Sequence, residues 1–469
     1  MIRDFRIENH LFSPHLRNGS YGTFFEQATE YTIDTSETAT VASSLWHIEN
    51  TKVSHPILDL EAGVSRVLAR MEVQGVYIDK TILDTLEQEL IKAIQTIESK
   101  VHKEIETSGH GTLNIEHGTL NLASPLQLQK LLFETMGIKP LKKTKTGWSV
   151  DEETLTMLAE DHEICREILT HRHASKLLGT YVRGLLKYIN PKTHRIHTSY
   201  DTLGASTGRM SSNDPNLQNI PAGDPWSDEI KKAFRPQQDN WSYVVADYSQ
   251  IEIRILACLS GDEKMLGTLK ENRDLHMETA KVLFEKDDIS KAERSIAKTL
   301  NFGVMYGITP FGLSKMLGKP PAECAVYIDR FFGLYPATRE YFDHIVSETQ
   351  KVGYAETFFG RRRTIKGLSD KNSIIREQAK REAMNMPIQG TCADILKYAM
   401  VKISEELATK NLQAQLIMQV HDELVIECPD TETEIVTKIL HEIMEHIVSW
   451  DIPMAVEVGI GKNWLEAKK

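Results

Sequence analysis

Residues Gln415–Cys428, QLIMQVHDELVIEC, decide how this chain folds. Two runs of apolar and β-branched residues flank His421 and Asp422, so the stretch reads as two strands around a tight turn. The apex carries Asp422, with Glu423 beside it. A carboxylate between two strongly apolar strands must be solvated or ligated, because burying it unpaired costs several kcal/mol. A third strand, SYVVADYS (Ser242–Ser249), brings Asp247 to the end of the apolar run YVVA. An Asp at a strand end is commonly a turn former or a helix cap. The two aspartates lie far apart in the chain, so only the fold can make them one site.

Between these strands lies a mostly helical block, from about Ile253 to Ala383. Within it ERSIAKTLNFGVMYG (Glu293–Gly307) places Arg294, Lys298, Phe302 and Tyr306 at steps of four. On a helix those side chains form one ridge. Two cations followed by two aromatics suit a nucleoside triphosphate, charge for phosphates and flat surface for sugar and base. Arg294 and Lys298 alone would also fit a solvated amphipathic face. His276, in RDLHMETA, adds a candidate donor to the phosphates. Beyond the block, QGTCADILKYAMVKISEEL and TETEIVTKILHEIMEHIV read as helices.

Upstream, HPILDLEAGVSRVLARMEVQG (His55–Gly75) has helical spacing and stops at Gly75. After VYID, Asp79 caps a long helix with Leu83, Leu86, Leu90, Ile94, Ile97 and Val101 on one stripe. Ser108–Ala123 breaks it. Shorter helices follow, one with Pro125 in its first turn, then the strand-like RIHTSYD and the polar loop STGRMSSNDPNLQNIP. The first 55 residues are poorly patterned, with a short helix predicted around 26–48.

The charge balance is 55 basic against 66 acidic residues, net −11. This is not the basic footprint usual for a nucleic-acid binder. Local basic clusters, KKTK at Lys142–Lys145 and RRR at Arg361–Arg363, still allow a basic cleft inside an acidic shell. No apolar run reaches the ~18 residues of a membrane span, and the start MIRDFRIENH lacks a signal-peptide core. The five scattered cysteines form no CxxC and point to a reducing compartment.

Taken together, the blocks resemble family A DNA polymerases, of the DNA polymerase I type. Asp247–Glu252 (DYSQIE) resembles that family's motif A, Arg294–Gly307 its motif B (RxxxKxxxNFGxxYG), and Gln419–Glu423 (QVHDE) its motif C. Thr207–Pro221, Asn385–Lys397 and the ending VEVGIGKNWLEAK resemble further blocks, in family order and over roughly His55 to the end.

The resemblance implies an α+β, multidomain right-hand fold with thumb, palm (antiparallel sheet) and helical fingers. The division it implies is thumb 56–190, palm 191–260 and 384–469, and fingers 261–383. It implies templated addition of deoxynucleotides to a primer 3′-hydroxyl, with primer-template DNA and dNTPs as partners and two Mg²⁺ ions (or Mn²⁺) as cofactor. Asp247, Asp422 and the Tyr248 backbone would hold the ions, with Glu423 a supporting acid. Arg294, Lys298, His276 and the backbone near Gln250 would grip the triphosphate, Lys298 also acting in catalysis. Tyr306 would stack at the templating position. Glu252 beside Phe302 would exclude a ribose 2′-hydroxyl. Arg209, Gln389 and His421 would read the minor-groove side of the primer-terminal pair, where every base pair carries an acceptor. Arg381, Asn216 and Gln218 would contact primer or template. The implied protein is a monomer without a membrane segment, cytoplasmic and nucleoid-associated in a prokaryote or phage-infected cell.

Departures are informative. Gln27–Trp46 (QATEYTIDTSETATVASSLW) resembles the end of the family's 3′–5′ exonuclease domain, yet Thr35 stands where that domain has a metal-binding Asp, with Asp34 beside it. Residues 1–55 are therefore read as a remnant, no proofreading is expected, and a 5′-nuclease domain is not found. The Asp430–Glu432 triplet DTE is read as the cap of the next helix. Lys231 and Lys232 are read as stand-ins for a template-contacting arginine. The rivals are a single-subunit RNA polymerase, a non-catalytic DNA-binding replication factor, and a nuclease. Glu252 with Phe302 speaks against the first, the four intact residues Asp247, Asp422, Arg294 and Lys298 against the second, and Thr35 against the third. Reverse transcription is a secondary possibility of the same site.

Overall fold

The computed structural model describes residues 56–107, 120–202 and 204–468. The helix predicted around 26–48 and the exonuclease remnant lie outside them.

The fold is organised by one antiparallel sheet. Helix α1 (Pro56–Gln74) ends at Gly75, whose φ of +65° and close approach to the Ile196 carbonyl exclude a side chain. Helix α2 (Lys80–Thr107) starts after Asp79, which accepts the Thr81 N–H at 3.0 Å. Of the predicted stripe, Leu83, Leu86, Leu90, Ile97 and Val101 are buried and Ile94 is half-buried. Helix α3 (Glu163–Lys176) packs along α2. Strand β1 (Trp241–Tyr248) then leads into α4 (Ile251–Ser260), α5 (Leu275–Phe284) and α6 (Lys291–Met305). The return path is α7 (Ser373–Asn385), a π turn at Met386–Gly390, and α8 (Thr391–Thr409). Strands β2 (Gln415–Val420) and β3 (Glu423–Pro429), helix α9 (Thr433–Glu445), β4 (Val456–Gly461) and the short α10 (Trp464–Ala467) complete it.

The strand order is β2-β3-β1-β4. Alternate residues of β1 face two cores. Val244, Ala246 and Tyr248 join α1, α4, α6 and α8, whereas Tyr243 and Val245 join α2 and α10. Covering both faces explains why these strands read as nearly unbroken apolar runs and not as half-polar alternation. Helix α1 packs on α8 and the sheet.

Asp430–Glu432 is a 3-10 turn, and it corrects the capping expectation. Glu432 occupies the N-cap of α9 without a side-chain bond to the helix. Its carboxylate instead accepts the N–H groups of Gln413 and Ala414, at 3.0 and 2.9 Å. Asp430 holds Ser242 at 2.6 Å and pairs with Lys462 at 2.7 Å. The triplet thus ties the sheet's ends together.

Candidate active site

The β3–β1 ladder sets Glu423 opposite Asp247, and the Tyr248 N–H donates to the Asp422 carbonyl at 3.3 Å. Asp247 and Asp422 therefore emerge side by side at one end of the sheet. The turn is tight enough to force His421 to a φ of +52°. The Cys392 thiol, at the start of α8, donates to Asp422 Oδ1 at 3.4 Å. Glu423 is buried with both carboxylate oxygens occupied: Trp464 Nε1 donates to one at 2.6 Å, and Lys468 pairs with the other.

Asp247 has no such support, and its carboxylate accepts no hydrogen bond among the described residues. Burial, then the neighbouring charge of Glu423, pushes its carboxyl up to about 6; Lys468 offsets part of this, and Asp422 and Glu457 add to it. Among the described residues no group of three or more His, Cys, Asp or Glu side chains is placed to hold a metal alone. Converging negative charge with two oxygen donors still fits a hard divalent cation. Mg²⁺ in particular keeps several waters and binds through one or two carboxylates plus substrate phosphates.

The predicted ridge lies on α6. Arg294 is held at its base by Asp274, Nε to Oδ2 2.6 Å. Lys298, Phe302 and Tyr306 line an open groove of about 710 Å³ together with Arg381. Tyr306 terminates the helix as its C-cap. Its hydroxyl donates to Glu252 Oε2 at 2.6 Å, and Arg209 holds Glu252 Oε1 at 2.6 Å. Gln389, on the π turn, lies near the Tyr306 hydroxyl. Phe302 packs instead on His276, ring centroids 5.7 Å apart.

His276 is 2% exposed, with its Nδ1 against Asn301 Nδ2 at 2.9 Å. Burial outweighs Asp274 and brings its pKa down to about 4, so the ring is neutral at pH 7. The folded state resists protonation, so this group's stability contribution is complete above pH 6.5 and is lost as pH falls toward 4. His276→Gln is expected to flatten the dependence of Tm on pH in that window, measured by thermal melts at fixed ionic strength.

A second cavity, of about 140 Å³, is lined by Arg209, Gln218, Gln419, His421 and Asp422. Gln218 Nε2 donates to Gln419 Oε1 at 2.7 Å, and Asn216 accepts the Gln218 N–H at 2.9 Å. Gln250 stands at the N-cap of α4 in left-handed conformation, φ +55°, and its buried Oε1 has no hydrogen-bond partner among the described residues. The fold thus gathers the motif A, B and C residues on one side of the sheet.

Three basic features are not what the sequence suggested. Lys231 is 7% exposed and lies over the Trp464 ring at 5.3 Å, and Lys232 pairs with Glu229 at 2.5 Å. Lys231 is therefore a packing cation and not a template contact. The RRR triplet is no basic patch, because Arg361 is buried, Arg362 pairs with Glu356 at 2.6 Å and Arg363 with Glu382 at 2.7 Å. In the KKTK stretch, Lys142 is bound to Asp151 and Glu153 at 3.1 Å each. Carboxylates close in sequence pair with Lys232, Arg362, Arg363 and Lys142, whereas Lys143 lies over the Trp148 ring at 5.6 Å.

The sequence profile of DNA polymerase family A matches residues 80–466. The chain belongs to DNA polymerase family A. DNA polymerase I of Bacillus subtilis is 40% identical over 423 residues, 90% of this chain and 47% of that protein. The thermostable DNA polymerase I of Thermus filiformis is 40% identical over 448 residues, 94% of this chain and 52% of that protein. The chain spans about half the length of these curated relatives. The solved POL domain of Pol1 from M. smegmatis, in complex with DNA primer-template and dNTP, superposes with a TM-score of 0.89 at 31% identity, covering 99% of this chain and 82% of that one. The expected α+β right-hand polymerase fold is thus that of the family.

Within the family A fold, sequence reasoning overlooked three supports of the site. Cys392 on Asp422, and Trp464 and Lys468 on Glu423, were quoted within motif-like blocks without a role. The signal was present, since an indole N–H near a buried strand must find an acceptor. The partner was not.

Proposed function

We propose that this chain is a DNA-templated DNA polymerase that extends a primer 3′-hydroxyl with deoxynucleotides. The observation that carries the reading is the meeting of Asp247 and Asp422 at one sheet end, facing the α6 ridge, in a chain of family A. The primer-template and dNTP held by the M. smegmatis domain give the partner classes. Two divalent ions, Mg²⁺ or Mn²⁺, bound at Asp247, Asp422 and the Tyr248 carbonyl would supply Lewis-acid chemistry, acidifying the attacking hydroxyl and covering the leaving pyrophosphate.

The chain's own residues do the rest. Asp247 and Asp422 set the position of negative charge. Glu423, locked by Trp464 and Lys468, supports that charge from a fixed place and has no free oxygen for ligation. Lys298 and Arg294 attract the triphosphate, and Lys298 also acts in catalysis. Tyr306 and Arg381 line the templating side of the groove. Arg209, Gln389 and His421 read the primer-terminal pair, and Asn216 and Gln218 steady the strand. Thumb, palm and fingers are proposed at the division read from the sequence, thumb 56–190, palm 191–260 and 384–469, and fingers 261–383.

Glu252, clamped between Tyr306 and Arg209, has little freedom to move aside for a 2′-hydroxyl. Glu252→Ala is expected to relax discrimination against rNTPs by roughly 10–200-fold, the range a shaped pocket commands over one small group. Steady-state kcat/KM for dGTP against GTP on one template position measures it. An unchanged ratio would remove Glu252 from this role.

Thr35 in place of a metal-binding Asp supports a chain without proofreading, read as no shortening of a mismatched primer. Minor-groove contacts tolerate some RNA–DNA heteroduplex, so copying of RNA is proposed as a secondary activity. The protein would act as a monomer with nucleoid DNA in the cytoplasm. Among the described residues no helix is long and apolar enough to cross a membrane.

A further inference from the structure

Four charged side chains meet out of solvent between α1, α8 and the hairpin turn that carries Arg361. Arg361 Nε donates to Asp394 Oδ1 at 2.7 Å, and its Nη2 pairs with Glu61. Lys397 Nζ donates to the same Glu61 oxygen at 2.5 Å, and Thr357 Oγ1 donates to Asp394 Oδ2 at 2.8 Å. Arg361 is 2% exposed and the other three charged groups 0%. Burial alone would raise the Glu61 carboxyl, but Lys397 and Arg361 reverse this and leave it below its ordinary value. Two acids and two bases cancel. Even so, apolar residues of equal volume usually stabilise a core at least as well as buried ions do. What such a network offers in return is a fixed geometry.

That geometry bears on the loop before the candidate primer site. Gly208 lies flat on the guanidinium: a Cβ there would stand 2.6 Å from Arg361 Nε and 2.9 Å from Cζ. Its φ of +84° already favours glycine. On the other side Gly390, next to Gln389, is as tightly enclosed. A Cβ on it would meet Thr357 Cγ2 at 2.4 Å and the Thr207 carbonyl at 3.2 Å. The Thr207–Arg209 backbone is therefore seated between the Arg361 turn and the π turn. Arg209, the next residue, reaches Glu252 and lines the 140 Å³ cavity with Lys397, His421 and Asp422.

We infer that Arg361 is a positioning residue for the primer terminus: the buried ion network seats Gly208, and through it fixes Arg209 where the terminal base pair is read. The inference rests on the proposed polymerase function. Charge alone does not suffice for this seat, because lysine lacks the planar fork that holds two carboxylates and presents a flat face to Gly208.

The test compares wild type with Arg361→Lys, Gly208→Ala, Arg209→Ala and the double variant Arg361→Lys/Arg209→Ala. Single-nucleotide kcat and KM are measured from matched and mismatched primer termini, well below each variant's Tm. Arg361→Lys and Gly208→Ala are each expected to lower the matched-to-mismatched efficiency ratio about tenfold, the size of one lost hydrogen bond to a charged group. In the Arg209→Ala background, Arg361→Lys is expected to lower it no further. A fall in Tm with an unchanged ratio, or losses that multiply in the double variant, would overturn the inference. Should Arg361→Lys not fold, Gly208→Ala decides alone, since it retains all four charges. A wild-type protein that extends no primer would overturn the underlying polymerase reading instead.

Discussion

Asp422→Ala is expected to lower primer extension by about 1,000-fold or more, the scale of losing a preorganised charge at the reacting centre. Asp422 and Asp247 leave adjacent antiparallel strands, and Glu423 cannot take the lost place. Glu423 is already committed to Trp464 and Lys468. Loss of Asp422 thus leaves one carboxylate, Asp247, with the Tyr248 carbonyl among the proposed ligands of the ions. Asp422→Asn is expected to behave almost as badly while preserving shape, which separates charge from packing. Single-turnover extension, with DNA affinity measured in parallel by fluorescence anisotropy, checks both variants. Residual activity within tenfold of wild type would show that Asp422 is not a ligand.

The second large effect is on stability. Lys397→Met is expected to cost about 3–5 kcal/mol, because it removes a cation that is wholly buried against Glu61. Arg361 would remain as the sole cation beside Glu61 and Asp394, leaving one net buried charge. Glu61→Gln in the same chain removes that excess and is expected to recover part of the loss. Urea titration of both variants, at unchanged m-value, measures it. A Lys397→Met loss below about 1 kcal/mol would mean that water reaches the cluster on unpairing.

Local patterns carried much of this fold into view. The hairpin around Asp422 and strand Trp241–Tyr248 were legible because both faces of the sheet are covered, which leaves uninterrupted apolar runs. The ridge Arg294–Lys298–Phe302–Tyr306 was legible because helical periodicity needs only neighbours in sequence. Long-range pairing was not. Arg361 finds Glu61 across the whole breadth of the chain, and nothing local to RRR says that its first arginine is buried while the other two are paired at the surface. Lys231 failed for the same reason, since its ring partner Trp464 lies at the far end of the sequence. The Asp430–Glu432 triplet showed a capping signal, but a 3-10 turn displaced the register and its carboxylates were claimed by strand ends.

Glu252 is the intermediate case. Its place in DYSQIE was readable, whereas a place beside Phe302 was only what the family resemblance implied. Its actual clamp, Tyr306 on one oxygen and Arg209 on the other, needed the fold. Those contacts join motif A, motif B and the Thr207–Arg209 loop into one polar unit.

The most direct measurement is extension of a 5′-labelled primer on a DNA template, with Mg²⁺ and one dNTP at a time. Addition of only the nucleotide complementary to the template, dependence on the divalent ion, and loss in Asp422→Ala are expected. No extension by the wild-type protein with either Mg²⁺ or Mn²⁺ across a range of temperatures, or addition indifferent to template sequence, would contradict the proposed function.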